Sequence, residues 1–288
     1  MKVICSIQEI RDECMQYKKA GLTIGFVPTM GYFHAGHTAL MKRARQLTDR
    51  VVVSLFVNPT QFSPNEDLSR YPRNIERDTK IAEEANVDIL FTPDAKELYP
   101  KDFSTWVHVE GISEHLCGKS RPGHFRGVAT IVAKLFGIVQ PDKAVFGQKD
   151  FQQLAIIRRM VRDLNMPVEI VSHETVREPD GLAMSSRNIY LSQEERSLAT
   201  CLYHALCITG NALKRQETTL SSLQTAIVSA ISVSPLVRID YIFIGDPHSL
   251  QPYDEDGFQK AKEVLAALAV WVGKTRLIDN LCFTKEPQ

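Results

Sequence analysis

Two histidines, His34 and His37, follow an apolar run, Leu22-Thr23-Ile24-Gly25-Phe26-Val27, and a turn, Pro28-Thr29-Met30-Gly31. The run has the length and composition of a strand. Beyond Gly36 the apolar residues Leu40, Met41, Ala44 and Leu47 recur at helical spacing. Imidazoles on the turn into a helix meet its free N–H groups and the positive end of its dipole, an arrangement that favours a nucleotide phosphate. Gly31 and Gly36 supply turn conformations and let the main chain come close to a ligand. Zinc is the competing chemistry, but the metalloprotease pattern is His-Glu-x-x-His, and here the second histidine comes one residue early. No third ligand follows at an obvious interval, so no metal site is read here. His-x-x-His by itself fits two solvated histidines on a loop; strand, glycine turn and helix start together favour the phosphate.

A second turn of this kind is Gly147-Gln148-Lys149-Asp150, where a strand-like run passes into a helical pattern. Lys149 there can present a compact positive charge to phosphate oxygens, although a lone Gly-x-Lys-Asp is usually a solvated turn. Met184-Ser185-Ser186-Arg187 offers two hydroxyls and a guanidinium that can hold a triphosphate and neutralise a departing pyrophosphate. The plainer reading is an N-capping serine beside a surface arginine. Arg121, His124 and Arg126 make a small basic cluster before a helix, which by itself fits a solubilising loop or an RNA contact.

These segments need a scaffold, and the patterning provides one. Strands are expected at Leu22–Val27, Val51–Val57, Ile89–Phe91, Ala144–Phe146 and Val168–Val171, with helices at His37–Thr48, Ile75–Asn86, Val128–Val139 and Phe151–Leu164 between them. Such alternation argues for a parallel sheet covered by helices on both faces. Ligands of these sheets bind at the carboxyl ends of the strands, where the His34/His37 and Lys149 turns both fall. Pro179-Asp180-Gly181 signals a boundary, giving domains of 1–175 and 176–288. The second should open with the capping box Ser192-Gln193-Glu194-Glu195 and a helix running to about Leu213. A helix over Leu220–Ile231 should follow, then strands Arg238–Ile244, Val264–Val272 and Arg276–Ile278, with Val272-Gly273-Lys274-Thr275 as a hairpin turn. The smaller domain is therefore expected to be α+β.

Composition narrows the function classes. The 288 residues include 34 Lys plus Arg and 34 Asp plus Glu, so no global field favours nucleic acid or a membrane surface, and any anion site must be local. Cys5, Cys14, Cys117, Cys201, Cys207 and Cys282 form no Cys-x-x-Cys pair, which suits buried thiols in a reducing compartment. Glu9, Arg11, Asp12 and Glu13 interrupt the N-terminus early, and Val264–Val272 is too short to span a bilayer as a helix. A cytoplasmic protein without membrane or nucleic-acid partners is expected.

The segment from Pro28 to His37 resembles the signature of the pantoate–β-alanine ligase (pantothenate synthetase) family, within the His-x-Gly-His nucleotidyltransferases. Asn58-Pro59-Thr60-Gln61-Phe62, Tyr71-Pro72-Arg73, Arg121 to Val128, Phe146 to Leu154, Asp180 to Asn188 and Gly273 to Arg276 are similar to that family too, in its order. Met184 to Arg187 also resembles the Met-Ser-Lys-Ser loop of class I aminoacyl-tRNA synthetases. The resemblance implies a Rossmann-like α/β domain that binds nucleotide and pantoate, and a smaller C-terminal lid. It implies ATP as co-substrate with Mg²⁺, pantoate and β-alanine as partners, and a homodimer. His34, His37, Lys149 and Arg187 become the implied catalytic residues. Met30, Gly31, Tyr32, Phe33, Ala35, Gly36, Gly147, Gln148, Asp150, Val176, Met184, Ser185 and Ser186 join them at the nucleotide. Gln61, Gln153, Asn58, Tyr71 and Arg121 are implied at pantoate, where neutral amides suit hydroxyls and a carboxylate. Ala35, Phe33, Gln148 and Gly245 stand where the family more often has an acidic residue, leucine, glutamate and arginine. Rival functions are another nucleotidyl transfer, an RNA-binding relative and a silent homologue. The last should have lost a phosphate-site residue, and none is missing.

Overall fold

In the computed structural model, which describes residues 1–64, 66–215 and 218–285, the chain divides into two units. One is Met1–Gln148 with Gln152–Glu174, the other Lys149–Phe151 with Thr175–Gln288. The first unit runs β1 (Lys2–Ile4), α1 (Ile7–Lys19), β2 (Ile24–Thr29), α2 (Ala35–Leu47), β3 (Arg50–Leu55), α3 (Ile75–Glu84) and β4 (Ile89–Phe91). It continues through α4 (Ala95–Leu98), α5 (Cys117–Ser120), α6 (His124–Val139), β5 (Lys143–Gly147), α7 (Phe151–Asp163) and β6 (Glu169–His173).

Its six strands form one sheet in the order β1-β4-β3-β2-β5-β6, every pair parallel. Ile24 to Val27 of β2 and Val51 to Ser54 of β3 are buried, as expected of central strands covered on both faces. Phe33, Met41, Ala44, Val51, Val53 and Leu90 pack into one core cluster on this sheet. The strand order reverses between β2 and β5, so the crevice at their carboxyl ends is the topological switch point where such sheets hold ligands.

The second unit contains a short 3-10 turn (Ser186–Tyr190), α8 (Gln193–Leu198), α9 (Cys201–Leu213), α10 (Leu220–Ile231), β7 (Val237–Gly245), α11 (Glu255–Lys260), β8 (Glu263–Val272) and β9 (Thr275–Thr284). Its strands make an antiparallel sheet in the order β7-β8-β9, packed on a core that includes Leu202, Leu206, Leu223, Ile227, Leu268 and Val270.

Several boundaries differ from the periodicity, each for a local reason. β2 starts two residues late because Thr23 is bound by the Asp49 carboxylate, and it extends through Pro28 beyond Phe26, where its pairing with β5 ends. β1 and α1 were not expected: α1 buries only Ile10 and Cys14, too thin a stripe to stand out among its charges. The helix expected from Ser192 to Leu213 breaks at Ala199 and Thr200, where Thr200 Oγ1 donates back to Ser197 O at 2.8 Å and tightens the turn. β9 runs well past Ile278 because its polar residues Asp279 and Asn280 lie buried in the strand.

Candidate active site

The histidine turn begins where β2 ends. Thr29 Oγ1 donates to Ser54 O at 2.6 Å and accepts from the Gly31 N–H at 3.3 Å. Gly31 (φ +82°) and Tyr32 (φ +53°) are both left-handed, so the chain bends sharply into α2. His34 is the N-cap and His37 the third helical residue, and the two make a reciprocal capping box. His34 Nδ1 accepts from the Gly36 N–H at 3.1 Å, and His37 Nδ1 accepts from the His34 N–H at 3.3 Å. A ring nitrogen that accepts from an amide carries no proton, so each neutral imidazole keeps its N–H on Nε2. The ring centroids are 4.1 Å apart, and His37 rests 5.5 Å from the fully buried ring of Phe33. Ala35 and Gly36 complete the first turn of α2, with Ala35 exposed and Gly36 half-buried.

The turn after β3 carries the amides. Asn58, Gln61 and Tyr71 are buried, at 1%, 8% and 7% exposure. Asn58 Nδ2 donates to Gln61 Oε1 at 3.1 Å and to Gly127 O at 3.2 Å, while Gln61 Nε2 donates to Met30 Sδ at 3.0 Å. Met30 belongs to the histidine turn, so the two turns touch through this contact. Asn58 Oδ1 accepts from the Thr60 and Tyr99 hydroxyls, each at 2.9 Å. The Gln61 carbonyl accepts from His124 Nδ1 at 2.7 Å and Arg121 Nη2 at 3.3 Å. Arg121 also forks onto Glu66 (2.8 and 2.5 Å) and donates to His124 Nε2 at 2.9 Å. Burial pushes the Glu66 carboxyl up, but the Arg121 fork outweighs it and holds the group below its ordinary range. Tyr71 packs edge-on against Phe62, with centroids 5.9 Å apart.

Gln153 is half-buried in the first turn of α7. Its neighbour Gln152, which the sequence did not single out, is buried and binds Ile112 O, His115 O and Cys117 N at 2.7–3.0 Å. Gly147 ends β5 and Gln148 follows it, both half-buried. Lys149 and the exposed Asp150 complete the 3-10 turn there.

In the second unit the Lys149 carbonyl accepts from Asn280 Nδ2 at 2.8 Å. Neighbouring Asp279 pairs with Arg177 at two points, 2.6 and 3.0 Å, and burial pushes its carboxyl up against that pairing. Arg177 bridges to Ala183, and the Met184 N–H donates to Val176 O at 3.0 Å, so the loop folds back on itself. Ser185 Oγ accepts from the Arg187 N–H at 3.2 Å and caps the turn that carries the buried Ser186 and half-buried Arg187. Ser185 is thus an N-cap, the plainer of its two sequence readings.

Residues missed by the sequence reading act on partners far away in sequence: Asp78 on the Tyr32 and Phe33 main chain, Glu66 on the Arg121 side chain, and Asn280 on the Lys149 main chain. Their neighbours, such as Arg77, Thr79 and Lys80 around Asp78, form no pattern that would signal such contacts. Among the described residues no group of three His, Cys, Asp or Glu is arranged to hold a metal ion.

Comparison with known proteins places this geometry in a family. The family model described as pantoate-beta-alanine ligase matches residues 2–282. The pantothenate synthetase of Thermotoga petrophila is 52% identical over 280 residues, covering 97% of this chain and 99% of that one. That of Moorella thermoacetica is 52% identical over 281 residues, covering 98% of each. The crystal structure of pantothenate synthetase from Thermus thermophilus superposes with a TM-score of 0.90 at 46% identity, over 98% of this chain and 99% of that one. The pantoate-beta-alanine ligase of Francisella tularensis, complexed with beta-gamma ATP and beta-alanine, gives 0.80 at 35% identity, over 100% and 99%. With one family model over nearly its whole length and relatives at half identity from end to end, the chain belongs to the pantoate–β-alanine ligase family.

Proposed function

We propose that this ligase condenses (R)-pantoate with β-alanine in two steps. A pantoate carboxylate oxygen attacks the α-phosphorus of ATP, expelling pyrophosphate and leaving pantoyl adenylate. The β-alanine amine then attacks the acyl carbon, the C–O bond to AMP breaks, and pantothenate and AMP leave. The observation that carries this reading is the paired-histidine cap: two neutral rings at a helix N-terminus keep their Nε2–H groups as donors, and the turn that carries them contacts Gln61 through Met30.

In this reading His34 and His37 donate to the nucleotide phosphates at the positive end of α2. Lys149 and Arg187 neutralise charge as pyrophosphate departs, while the Ser185 and Ser186 hydroxyls donate hydrogen bonds that hold the triphosphate. Met30 to Gly36, Gly147, Gln148, Asp150, Val176 and Met184 surround the nucleotide. Gln61 and Gln153 offer amides to pantoate's hydroxyls and carboxylate, with Asn58 and Tyr71 in support and Arg121 holding the Gln61 main chain. Catalysis is then mostly positioning and charge neutralisation. Mg²⁺ is proposed to come with the triphosphate. A homodimer in the cytoplasm is proposed from the family resemblance, and the Francisella complex with nucleotide and amine supports the substrate assignment.

The test is ATP–pyrophosphate exchange by purified protein with Mg²⁺ and without β-alanine. Exchange that requires pantoate establishes the adenylate step. Its absence from a folded protein that binds ATP would overturn the reading in favour of another nucleotidyl transfer.

A further inference from the structure

We propose that Asp78, with Arg77, is the positioning residue of the histidine turn, fixing the main chain that sets the tautomers of His34 and His37. The proposal rests on the reading of those rings as phosphate donors. Asp78 is 1% exposed in the first turn of α3. Its two carboxylate oxygens divide the work: Oδ2 accepts from the Tyr32 N–H at 2.6 Å and Oδ1 from the Phe33 N–H at 2.7 Å. Arg77 grips the same two residues, donating from Nη2 to Phe33 O at 2.7 Å and lying 4.8 Å from the Tyr32 ring centroid. Phe33 directly precedes the His34 N-cap, so the clamp fixes the peptide unit that feeds the capping box.

The approach depends on Gly31. A Cβ there would lie 3.1 Å from Asp78 Oδ2 and 3.0 Å from Leu55, in a residue already at φ +82°. Burial drives the Asp78 carboxyl upward, while the Phe33 and Tyr32 amides and Arg77 pull it back. A buried carboxylate is an awkward group to keep unless its two acceptor oxygens are needed. An amide cannot replace it, because asparagine would turn one end into a donor facing a donor.

The chain of contacts is short. Asp78 fixes the Tyr32–Phe33 amides, these fix the His34 N–H that His37 Nδ1 accepts, and the Gly36 N–H then meets His34 Nδ1. Both protons stay on Nε2. Without the clamp the rings lose their backbone partners, and each imidazole exchanges between tautomers.

Asp78→Asn tests this with two readouts in the full-length protein. Imidazole ¹⁵N–¹H spectra of the ligand-free protein should show both rings as the Nε2–H tautomer in the parent, and mixed tautomers in the variant. Pantoate-dependent ATP–pyrophosphate exchange should lose about 10²-fold in kcat, with KM for pantoate nearly unchanged, since a displaced catalytic group costs on that order. If Asp78→Asn does not fold, Arg77→Ala at a partly exposed site should give the same changes in weaker form. Retention of the Nε2–H tautomer at both rings, or tautomer mixing with kcat untouched, would overturn the proposal. A parent protein with fixed tautomers but no exchange would instead overturn the functional reading alone.

Discussion

His37 serves two purposes at one position. It accepts the His34 amide as the third residue of α2, and it keeps an Nε2–H as a donor. Glutamine is an ordinary partner at this place in a capping box, so the two roles can be separated. His37→Gln should leave stability within about 0.5 kcal/mol of the parent, because the cap survives. Its pantoate-dependent exchange should fall about 10²- to 10⁴-fold if the ring, as proposed, donates to the phosphates and passes a proton there. His37→Ala should lose as much rate and also about 0.5–2 kcal/mol from the missing cap. Urea titrations alongside exchange assays check both, and near-parental exchange in folded His37→Gln would take the ring out of the chemistry. The histidine pair was legible because its meaning lies in residue type, spacing and the helix that follows. Asp78 was not, because its partners Tyr32 and Phe33 are 46 and 45 residues away and a lone Asp in a helix reads as a solvated charge.

Among the elements, α6 decides where the Gln61 turn sits. A Cβ on Gly127 would lie 2.4 Å from Thr60 O, 2.6 Å from Thr60 C and 2.9 Å from Gln61 N. Backbone cannot swing aside as a side chain can, so Gly127→Ala should push that turn away, cost about 1–3 kcal/mol from overpacking, and raise KM for pantoate about 10-fold or more. Gly123 provides the control. It is left-handed at φ +81° with nothing within 4 Å of its would-be Cβ, so Gly123→Ala should cost about 1–2 kcal/mol of backbone strain with KM unchanged. Equal KM values for the two variants would show that close approach of α6 does not set the Gln61 turn. The parallel sheet, its helices and the capping box at Ser192 and Glu195 were readable because each repeats a period or a cap. Failures came where burial is thin or polar. α1 hides two buried residues among charges, and β9 carries Asp279 and Asn280 in its interior because each has a partner in Arg177 or Lys149. Their pairing is tertiary, and no one-dimensional pattern encodes it.

Over the whole chain the charges cancel near pH 7, 34 against 34, so there no net repulsion opposes folding and particular pairs stand out as pH begins to fall. Glu66 is held below its ordinary value because the Arg121 fork outweighs burial, and Asp180 is held low by Arg196. A carboxyl whose folded value is depressed binds its proton more readily in the unfolded chain. Its contribution is complete above the unfolded value, here 4.5 for Glu66, and is lost as pH falls through the folded value. Asp78 and Asp279 are pushed up by burial, so they act in the opposite sense: from the unfolded value up through the raised one, stability falls as pH rises. These two sets therefore contribute to the acid limb with opposite signs. Glu66→Gln isolates one side of it. At pH 7 the variant should be about 1–2 kcal/mol less stable than the parent, the worth of a partly buried charged hydrogen bond. As pH falls through the folded Glu66 value that gap should close, because the parent loses the same charge. Arg121 then loosens from Glu66 while still facing His124 and the Gln61 carbonyl, so KM for pantoate should rise over the same acid window in the parent, and at pH 7 already in the variant. Urea unfolding and exchange kinetics across the acid range measure both. A stability gap of equal size at both ends of that range would show that shape, not charge, ties Glu66 to the pocket.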